Sequence, residues 1–289
     1  MMFQQSITIR FSELVIRFNF PTPIRVPDYL REFLYEGTCT PDTQYDICLL
    51  EKPLEVEHLT PIVINGLYIY PYHKSWLYIY PALTAEDRCQ VALFFCSDNH
   101  CQLYYPASRW DYYSEDLHFL HLLAIERFLI HHQGFLLHSS LVQLDGQTVL
   151  FSGPSGVGKS TQADLWHKYL NASVLNGDRC VIRKISNTFY GCRSPWAGTS
   201  QIYHRDMAPI KGIILLQQSP QNAIKKVGAA AFSKLFSQSV VNAWDSAFVD
   251  TLSTLIAEII QTVPIYELSC RPDADAVQLA YQTLWKGGL

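Results

Sequence analysis

Residues 148–161 read TVLFSGPSGVGKST, an apolar run followed by a glycine-rich loop. From Gly153 onward the letters fit the pattern G-x-x-x-x-G-K-[ST] in full, which predicts a strand over 148–152 and a helix from Ser160. Its glycines permit backbone torsions in which successive N–H groups point inward, so the loop can form a nest for phosphate oxygens. The first turn of the helix adds partial positive charge. The pattern therefore predicts a P-loop that binds a nucleoside triphosphate, and a plain strand–helix turn is the structural alternative.

Contacts with the phosphates are predicted along this whole loop. Lys159 supplies a point charge at the β- and γ-phosphates, and the hydroxyl of Ser160 is placed to ligate Mg²⁺. The predicted nucleotide-binding residues are Gly153, Pro154, Ser155, Gly156, Val157, Gly158, Lys159, Ser160 and Thr161.

Phosphoryl transfer also needs a second acid, for the metal ion or for the attacking hydroxyl. Asp178 follows a short expected strand at 173–175 and lies 19 residues after Lys159. Asp164, expected on the helix after the loop, is the alternative acid, while the apolar run 212–217 ends in glutamines. Asp178 is also readable as a simple turn acid. We expect Asp178 to be the essential carboxylate and a metal ligand.

A resemblance to a known family rests on two further features of this region. The segment around the loop resembles the catalytic domain of HPr kinase/phosphorylase, which has a histidine 15 residues before the first P-loop glycine, the spacing between His138 and Gly153 here. That family also has an acidic pair and an arginine after the next strand. This chain has Gly177, Asp178 and Arg179 at those places, so that glycine replaces the first acid.

The later segment 190–200, YGCRSPWAGTS, looks like a divergent branch of that family, the kinases of peptide natural products such as lasso peptides. The resemblance covers about residues 134–285. It implies a P-loop kinase domain of the HPr kinase/phosphoenolpyruvate carboxykinase type, with ATP and Mg²⁺ as cofactors and a serine or threonine hydroxyl as acceptor.

Site roles follow from this resemblance. It places His138 beside the γ-phosphate or the acceptor, although a strand histidine with a structural role is the alternative. It assigns Asp178 to Mg²⁺ or to the proton of the hydroxyl. Because Gly177 replaces one acid, either Asp178 performs both duties or another side chain supplies the base, and the family's reverse dephosphorylation is in doubt. Arg193 suits phosphate oxygens with its planar guanidinium, unless its glycine- and proline-rich surroundings are only a turn.

Other residues are weaker candidates for the site. Arg205 and Lys211 are further cations at some distance along the chain. We read His131 and His132 as the exposed end of a helix, because no partner stands at metal-ligand spacing. The apolar stripe Phe248, Leu252, Leu255 and Ile259 predicts the buried face of a helix.

The fold class expected is α/β, with a β-rich N-terminal domain over residues 1–112 and the kinase domain over 113–289. Short runs rich in Ile, Val, Tyr and Phe dominate the first part. The pentapeptide LYIYP occurs at 67–71 and 77–81, which predicts two adjacent strands. Ten of the 17 tyrosines precede residue 106, which indicates either strand packing or a surface for a partner.

A helix is predicted from Ser114 to about Gln133, with Gly134 as its stop. Downstream strands alternate with helices, which is typical of a layered α/β domain.

Composition narrows the classes of partner. The chain of 289 residues is 48% apolar and 17% charged, with a net charge of −4. This near-neutral balance gives no electrostatic case for nucleic acid or for an anionic membrane, and no apolar run reaches the ~18 residues of a membrane span. The eight cysteines lack C-x-x-C spacing and the N-terminal residues lack signal-peptide character, so we expect free thiols in the cytoplasm. A homo-oligomer is left open.

The leading hypothesis is a kinase that phosphorylates a serine or threonine of a precursor peptide in natural-product biosynthesis. The N-terminal domain would bind that peptide, by adding it as a strand to a sheet edge. A non-catalytic nucleotide-binding regulatory module is one alternative, supported by Gly177. A small-molecule kinase is the other.

Overall fold

Alternating apolar side chains organise the N-terminal half of the chain into a sheet. The structure is a computed structural model that describes residues 3–26, 28–52, 54–56, 58–64, 66–72, 75–80, 91–114, 122–193 and 207–287. The chain divides into two units, Met1–Phe128 and Leu129–Leu289. The expected division between residues 112 and 113 stays a prediction.

The described strands of the first unit form one mixed sheet in the order β1-β2-β3-β8-β7-β6-β5-β4, in which only the β2–β3 and β3–β8 pairs are parallel. The first copy of the repeat lies on β5 and the described residues of the second copy, 77–80, lie on β6, and these two strands pair antiparallel, as predicted. The elements are β1 (Gln5–Phe11), β2 (Leu14–Phe20), α1 (Asp28–Arg31), β3 (Thr43–Leu50), β4 (Ile62–Ile64), β5 (Leu67–Tyr72), β6 (Ser75–Tyr80), β7 (Val91–Ser97), β8 (His100–Pro106) and α2 (Trp110–Ser114).

Several tyrosines belong to the core of this sheet. Tyr45, Tyr78 and Tyr105 are almost completely buried, and the rings of Phe18 and Tyr45 stack with centroids 5.5 Å apart. Strand packing therefore explains these aromatic residues. A second group of large apolar side chains on β4 and β5 is exposed: Ile62, Val63, Tyr68 and Tyr72.

The long helix predicted from Ser114 to Gln133 is wrong in the part that the structure describes. Ser114 is the last residue of α2 rather than a helix cap, and α3 (Ile125–His131) begins only after Ala124. Ala124 has a φ of 44°, a left-handed conformation that a right-handed helix cannot contain. The expected apolar positions 117 and 120 lie outside the described residues. Gly134 starts a strand, and the preceding Gln133 takes the left-handed conformation instead.

The second unit is a mixed α/β layer structure. Its elements are β9 (Gly134–Leu144), β10 (Gln147–Ser152), α4 (Lys159–Leu170), β11 (Ser173–Asn176), β12 (Arg179–Ile185), β13 (Thr188–Cys192), β14 (Met207–Gln218), β15 (Ala223–Lys226), α5 (Ala231–Gln238), α6 (Ser246–Thr262), β16 (Ile265–Cys270) and α7 (Ala274–Lys286). Strands β10, β14 and β16 are parallel neighbours, so their carboxyl ends lie at the same edge.

Side chains on successive positions of the central strands face opposite cores, as expected for a sheet covered on both sides. Leu150 and Leu215 join a core with α5 and α6. Their neighbours Phe151 and Leu216 join another core, with α4 and α7. The stripe predicted to be a buried helix face, Phe248, Leu252, Leu255 and Ile259, lies on α6 and is buried. The predicted α/β layering is thus confirmed.

Strand β9 is paired on both of its edges. Residues 134–138 pair with β12 and residues 141–143 with β11, while residues 139–144 pair with β10. His138 lies opposite Arg179, and the next residue, Ser139, lies opposite Ser152. The end of β10 and the start of β12 therefore lie on either side of β9 at this point, next to the glycine-rich loop.

Candidate functional site

The glycine-rich loop, residues 153–158, connects the carboxyl end of β10 to α4. Gly156 and Gly158 have φ angles of 77° and 108°, conformations that L side chains rarely adopt. Left-handed residues of this kind turn successive N–H groups toward one side, which suits an anion. Gly158 is also the N-cap residue of α4, and as a glycine it has no side chain to accept from the free N–H groups there. Two of the motif's glycines therefore adopt the left-handed conformations for which glycine is suited.

Lys159 is held inside this loop. Its side chain is 7% exposed, and its Nζ donates to the carbonyl oxygens of Gly153 and Pro154 at 3.0 and 3.1 Å. Ser160 and Thr161, the next two residues of α4, are exposed. A buried ammonium group and an exposed hydroxyl thus follow the loop, in the order that the motif predicts.

Asp178 lies in the two-residue connection between β11 and β12, and its backbone is fixed on both sides. Its N–H donates to Asn176 Oδ1 at 2.9 Å, and its carbonyl oxygen accepts from Ser139 N–H at 3.0 Å. The neighbouring Gly177 is fixed as well, because its carbonyl oxygen accepts from Ser140 Oγ. This turn therefore presents the Asp178 carboxylate in a defined direction, with the side chain half-exposed.

His138, on β9, and Asp178, directly before β12, are neighbours across the pairing of these two strands. His138 Nε2 lies 3.3 Å from Asp178 Oδ1. The backbone of His138 is tied to β10, since Ser152 Oγ donates to the His138 carbonyl oxygen at 2.9 Å. Gln238, at the end of α5, hydrogen-bonds to the imidazole. Two side chains that sequence reasoning singled out separately are therefore direct neighbours.

Lys159 interacts electrostatically with both His138 and Asp178. Burial lowers the pKa of His138 below its usual value, the Lys159 ammonium lowers it further, and Asp178 opposes both effects. Burial also lowers the pKa of Lys159, again with Asp178 acting in the opposite sense. A histidine with a lowered pKa is neutral at pH 7 and can accept a proton. The three groups form a cluster that combines an acceptor, a carboxylate and a cation beside the glycine-rich loop.

The other candidate residues lie elsewhere or make other contacts. Arg193 is 2% exposed, and its Nε donates to Leu175 O at 2.7 Å, which ties it to β11 rather than to the loop. Its contact with phosphate stays a prediction. Lys211 lies over the Trp285 ring at 5.7 Å. His131 ends α3 and is exposed. Arg205 is outside the described residues.

One buried acid beside the loop was missed by sequence reasoning. Glu267 on β16 is 8% exposed and forms ion pairs with Lys225 and Lys234. It lines a cavity of about 240 Å³ together with Gly153, Pro154, Lys234 and Gln238. The apolar residues around Glu267 in the sequence IYELSC were the available signal, but strand β16 was not predicted.

Glu267 gives the second unit a pH-dependent stability. Hydrogen bonds from Lys225 and Lys234 lower its pKa below the usual 4.5, so the folded carboxylate stays ionised where the unfolded one binds a proton. Its stabilising contribution is complete above the unfolded pKa and disappears as the pH falls through the folded pKa. We expect Glu267→Gln to lower the free energy of unfolding by about 2 kcal/mol at pH 7. This loss of stability should become smaller as the pH falls below 4.5.

Denaturant titrations at several pH values measure this effect. Glu258→Gln is the matched control, because it removes an acid that pairs with Lys184 at 2.9 Å but is 37% exposed, and its effect should be smaller. A stability difference between Glu267→Gln and the unaltered protein that is the same at pH 7 and pH 3.5 would contradict the assignment.

Comparisons with known proteins place the chain in a family. The sequence profile described as "SynChlorMet cassette protein ScmC" matches residues 113–272, which is more than half of the chain. The chain therefore belongs to the ScmC family. Comparison with curated proteins gives no match.

A solved structure also matches, that of the HPr(Ser) kinase/phosphatase from Coxiella burnetii. The match has 13% sequence identity and a TM-score of 0.31, and covers 53% of this chain and 88% of that chain. Similarity at this level says nothing about activity. Whether the chain lies in the branch of peptide natural-product kinases stays a prediction. Among the residues that the structure describes, no helix is long and apolar enough to cross a membrane.

Proposed function

We propose that this protein is an ATP- and Mg²⁺-dependent phosphotransferase with an alcohol group as acceptor. The observation that carries the proposal is the convergence of Lys159, Asp178 and His138 beside a glycine-rich loop with left-handed glycines. A loop that only binds a nucleotide needs the cation and the backbone nest. A carboxylate and a neutral imidazole 3.3 Å apart add the proton acceptor that a transfer reaction requires.

The residues present fit both cofactors. Backbone N–H groups of the loop and the first turn of α4 would hold the phosphates, and Lys159 would add charge at the β- and γ-phosphates. Ser160 and Asp178 would hold Mg²⁺, which in proteins commonly takes one or two side-chain ligands and completes its shell with phosphates and water. Bound Mg²⁺ would neutralise charge that develops on the transferred group.

The side chains of the chain itself would then divide the reaction as follows. The His138–Asp178 pair accepts the proton of the substrate hydroxyl while its oxygen bonds to the γ-phosphorus. The bond between that phosphorus and the bridging oxygen of ADP breaks, and Lys159 offsets the charge left on the phosphates. With Gly177 in place of a second acid, the imidazole of His138 is the group that shares the work of Asp178.

For the acceptor we propose a serine or threonine of a precursor peptide. Strand β4 lies at the end of the described sheet order of the first unit, and Ile62 and Val63 on it are 38% and 55% exposed. An exposed apolar end strand favours addition of an extended peptide through main-chain hydrogen bonds. The family description names a cassette protein, which directs the search for the peptide to neighbouring genes.

The test is incubation of the full chain with ATP, Mg²⁺ and a short peptide encoded next to its gene. We expect ADP to form and the peptide to gain the mass of one phosphoryl group, located by fragmentation at a serine or threonine. If the chain binds the nucleotide but forms no ADP with any acceptor that is offered, it is a regulatory module. ADP formation with a metabolite but not with the peptide would identify a small-molecule kinase.

A further inference from the structure

A cleft of about 530 Å³ adjoins the glycine-rich loop at its far end and is separate in its lining from the His138–Asp178 pair. Its walls are residues 156–158 with the first turn of α4, residues 218–220 at the end of β14, and residues 270–272 at the end of β16. It therefore lies at the carboxyl ends of parallel strands, where open α/β sheets bind ligands. Its volume is in the ~300–1,000 Å³ range of ligand pockets.

The cleft contains a buried polar group that is not fully satisfied. Gln162 on α4 is 2% exposed, and its Nε2 donates to Cys270 Sγ at 3.5 Å. Its Oε1 has no hydrogen-bond partner among the residues that the structure describes. A buried amide oxygen without a donor is costly, so a site that leaves one is suited to a ligand that supplies the donor.

Two further groups at the cleft are held in place by short contacts. Arg271 makes two hydrogen bonds: its Nε donates to Asp273 Oδ2 at 2.9 Å, and its backbone N–H donates to Asn222 Oδ1 at 2.8 Å. Gln218 Nε2 donates to Gly156 O at 3.1 Å, which links the cleft wall to the loop. Fixed polar groups beside apolar walls are the usual composition of a small-molecule site.

The position of Lys159 determines in which direction a bound nucleotide would lie along the loop. Its Nζ lies at the carbonyl oxygens of Gly153 and Pro154, the first residues of the loop, and interacts with Asp178. The β- and γ-phosphates belong at that end, because this lysine reaches them in loops of this pattern. The rest of the nucleotide must then leave past residues 156–161, where the cleft opens.

We propose that this cleft holds the nucleoside half of the nucleotide, its base and ribose. The proposal rests on the proposed function, because it presupposes that phosphates occupy the loop. The rings of Pro220 and Pro272 supply apolar surface for the flat base, and Arg271 supplies a planar cation that can stack on it. The Gln162 amide pairs with a donor of the ligand, the amino group of the base or a ribose hydroxyl.

Calorimetric titrations of the full chain with ATP and with inorganic triphosphate test this assignment. We expect Gln162→Met and Arg271→Ala each to raise the Kd for ATP about tenfold and to leave the Kd for inorganic triphosphate within a factor of about two. Gln162→Met changes no charge, so it separates a contact from a field effect. Lys226→Ala, which removes an exposed cation on β15, is the control and should leave both constants unchanged.

The outcomes separate this assignment from the proposed function. If Lys159→Met weakens both ligands while the two cleft variants bind ATP normally, nucleotide binding stands and the cleft assignment is wrong. Equal weakening of ATP and inorganic triphosphate by the cleft variants would also overturn it. If the unaltered protein binds neither ligand, the proposed function fails and the cleft assignment fails with it. Arg271→Ala is a surface change, so the test remains decisive even if Gln162→Met does not fold.

Discussion

Asp178→Asn is expected to lower the kcat of phosphoryl transfer by about 10³-fold, with a much smaller effect on the Kd for ATP. The reason is that the amide keeps the shape of the carboxylate but removes its charge, so it neither accepts the hydroxyl proton nor ligates Mg²⁺ well. General base catalysis alone contributes about 10²–10⁴-fold. The backbone contacts of residue 178 with Asn176 and Ser139 do not involve its carboxylate, so the turn should persist.

Steady-state rates with ATP in excess, together with thermal unfolding, measure this effect. Asp164→Asn is the matched control, since Asp164 is an exposed acid of the same unit, on α4, and its loss should leave kcat within a factor of about two. The role of Asp178 is refuted if Asp178→Asn retains the full rate. It is also refuted if both variants lose activity to the same extent, because the effect would then be one of net charge.

The segment around the loop was predictable because its determinants are local. Three glycines, a lysine and a preceding apolar run specify a strand, a loop and a helix within about twenty residues, and β10 and α4 appear where the pattern places them. The prediction of a long helix from Ser114 is wrong because of a local conformation that the apolar pattern does not specify. The apolar spacing is helical, but Ala124 takes a left-handed conformation, and an alanine at that position does not indicate a break in the helix.

The meeting of His138 with Asp178 depends on long-range pairing, which spacing along the chain does not report. The two residues come together because β9 pairs with β12 in the register that sets His138 opposite Arg179, the residue after Asp178. The family resemblance pointed to His138, but no periodicity in the sequence shows which strand pairs with β9 or in which register. The pairing is therefore a property of the sheet and not of either motif.

The site residues on β16 and in the turn directly after it were missed for a related reason. Glu267 and Arg271 adjoin the loop only because β16 pairs with β14 in parallel, with Leu215 opposite Glu267. The intervening residues between β14 and β16 include two helices, so proximity in the fold arises from a crossover rather than from sequence distance. Gln162 is nearer to the motif, yet its burial against Cys270 depends on the same crossover.

Lys159→Met is expected to abolish measurable nucleotide binding at ordinary concentrations, with a loss of about 10²–10³-fold in both ATP affinity and rate. Methionine preserves the long aliphatic stem but removes the ammonium group, whose charge-assisted hydrogen bonds to phosphate have no substitute nearby. It also removes the donor that now binds the carbonyl oxygens of Gly153 and Pro154. The loop thus loses its charge and part of its internal support in one change.

Two measurements follow from this. Calorimetry should show no binding of ATP to Lys159→Met, and ATP with Mg²⁺ should raise the melting temperature of the unaltered protein but not that of the variant, since a ligand stabilises the state that binds it. Lys168→Met, at an exposed position of α4 whose ammonium group lies 5.0 Å from the Tyr169 ring, is the control and should bind ATP normally. If Lys159→Met retains its affinity for ATP, the loop is only a strand–helix turn and ATP binds elsewhere. A buried ammonium group that contacts the phosphates would be needed for binding.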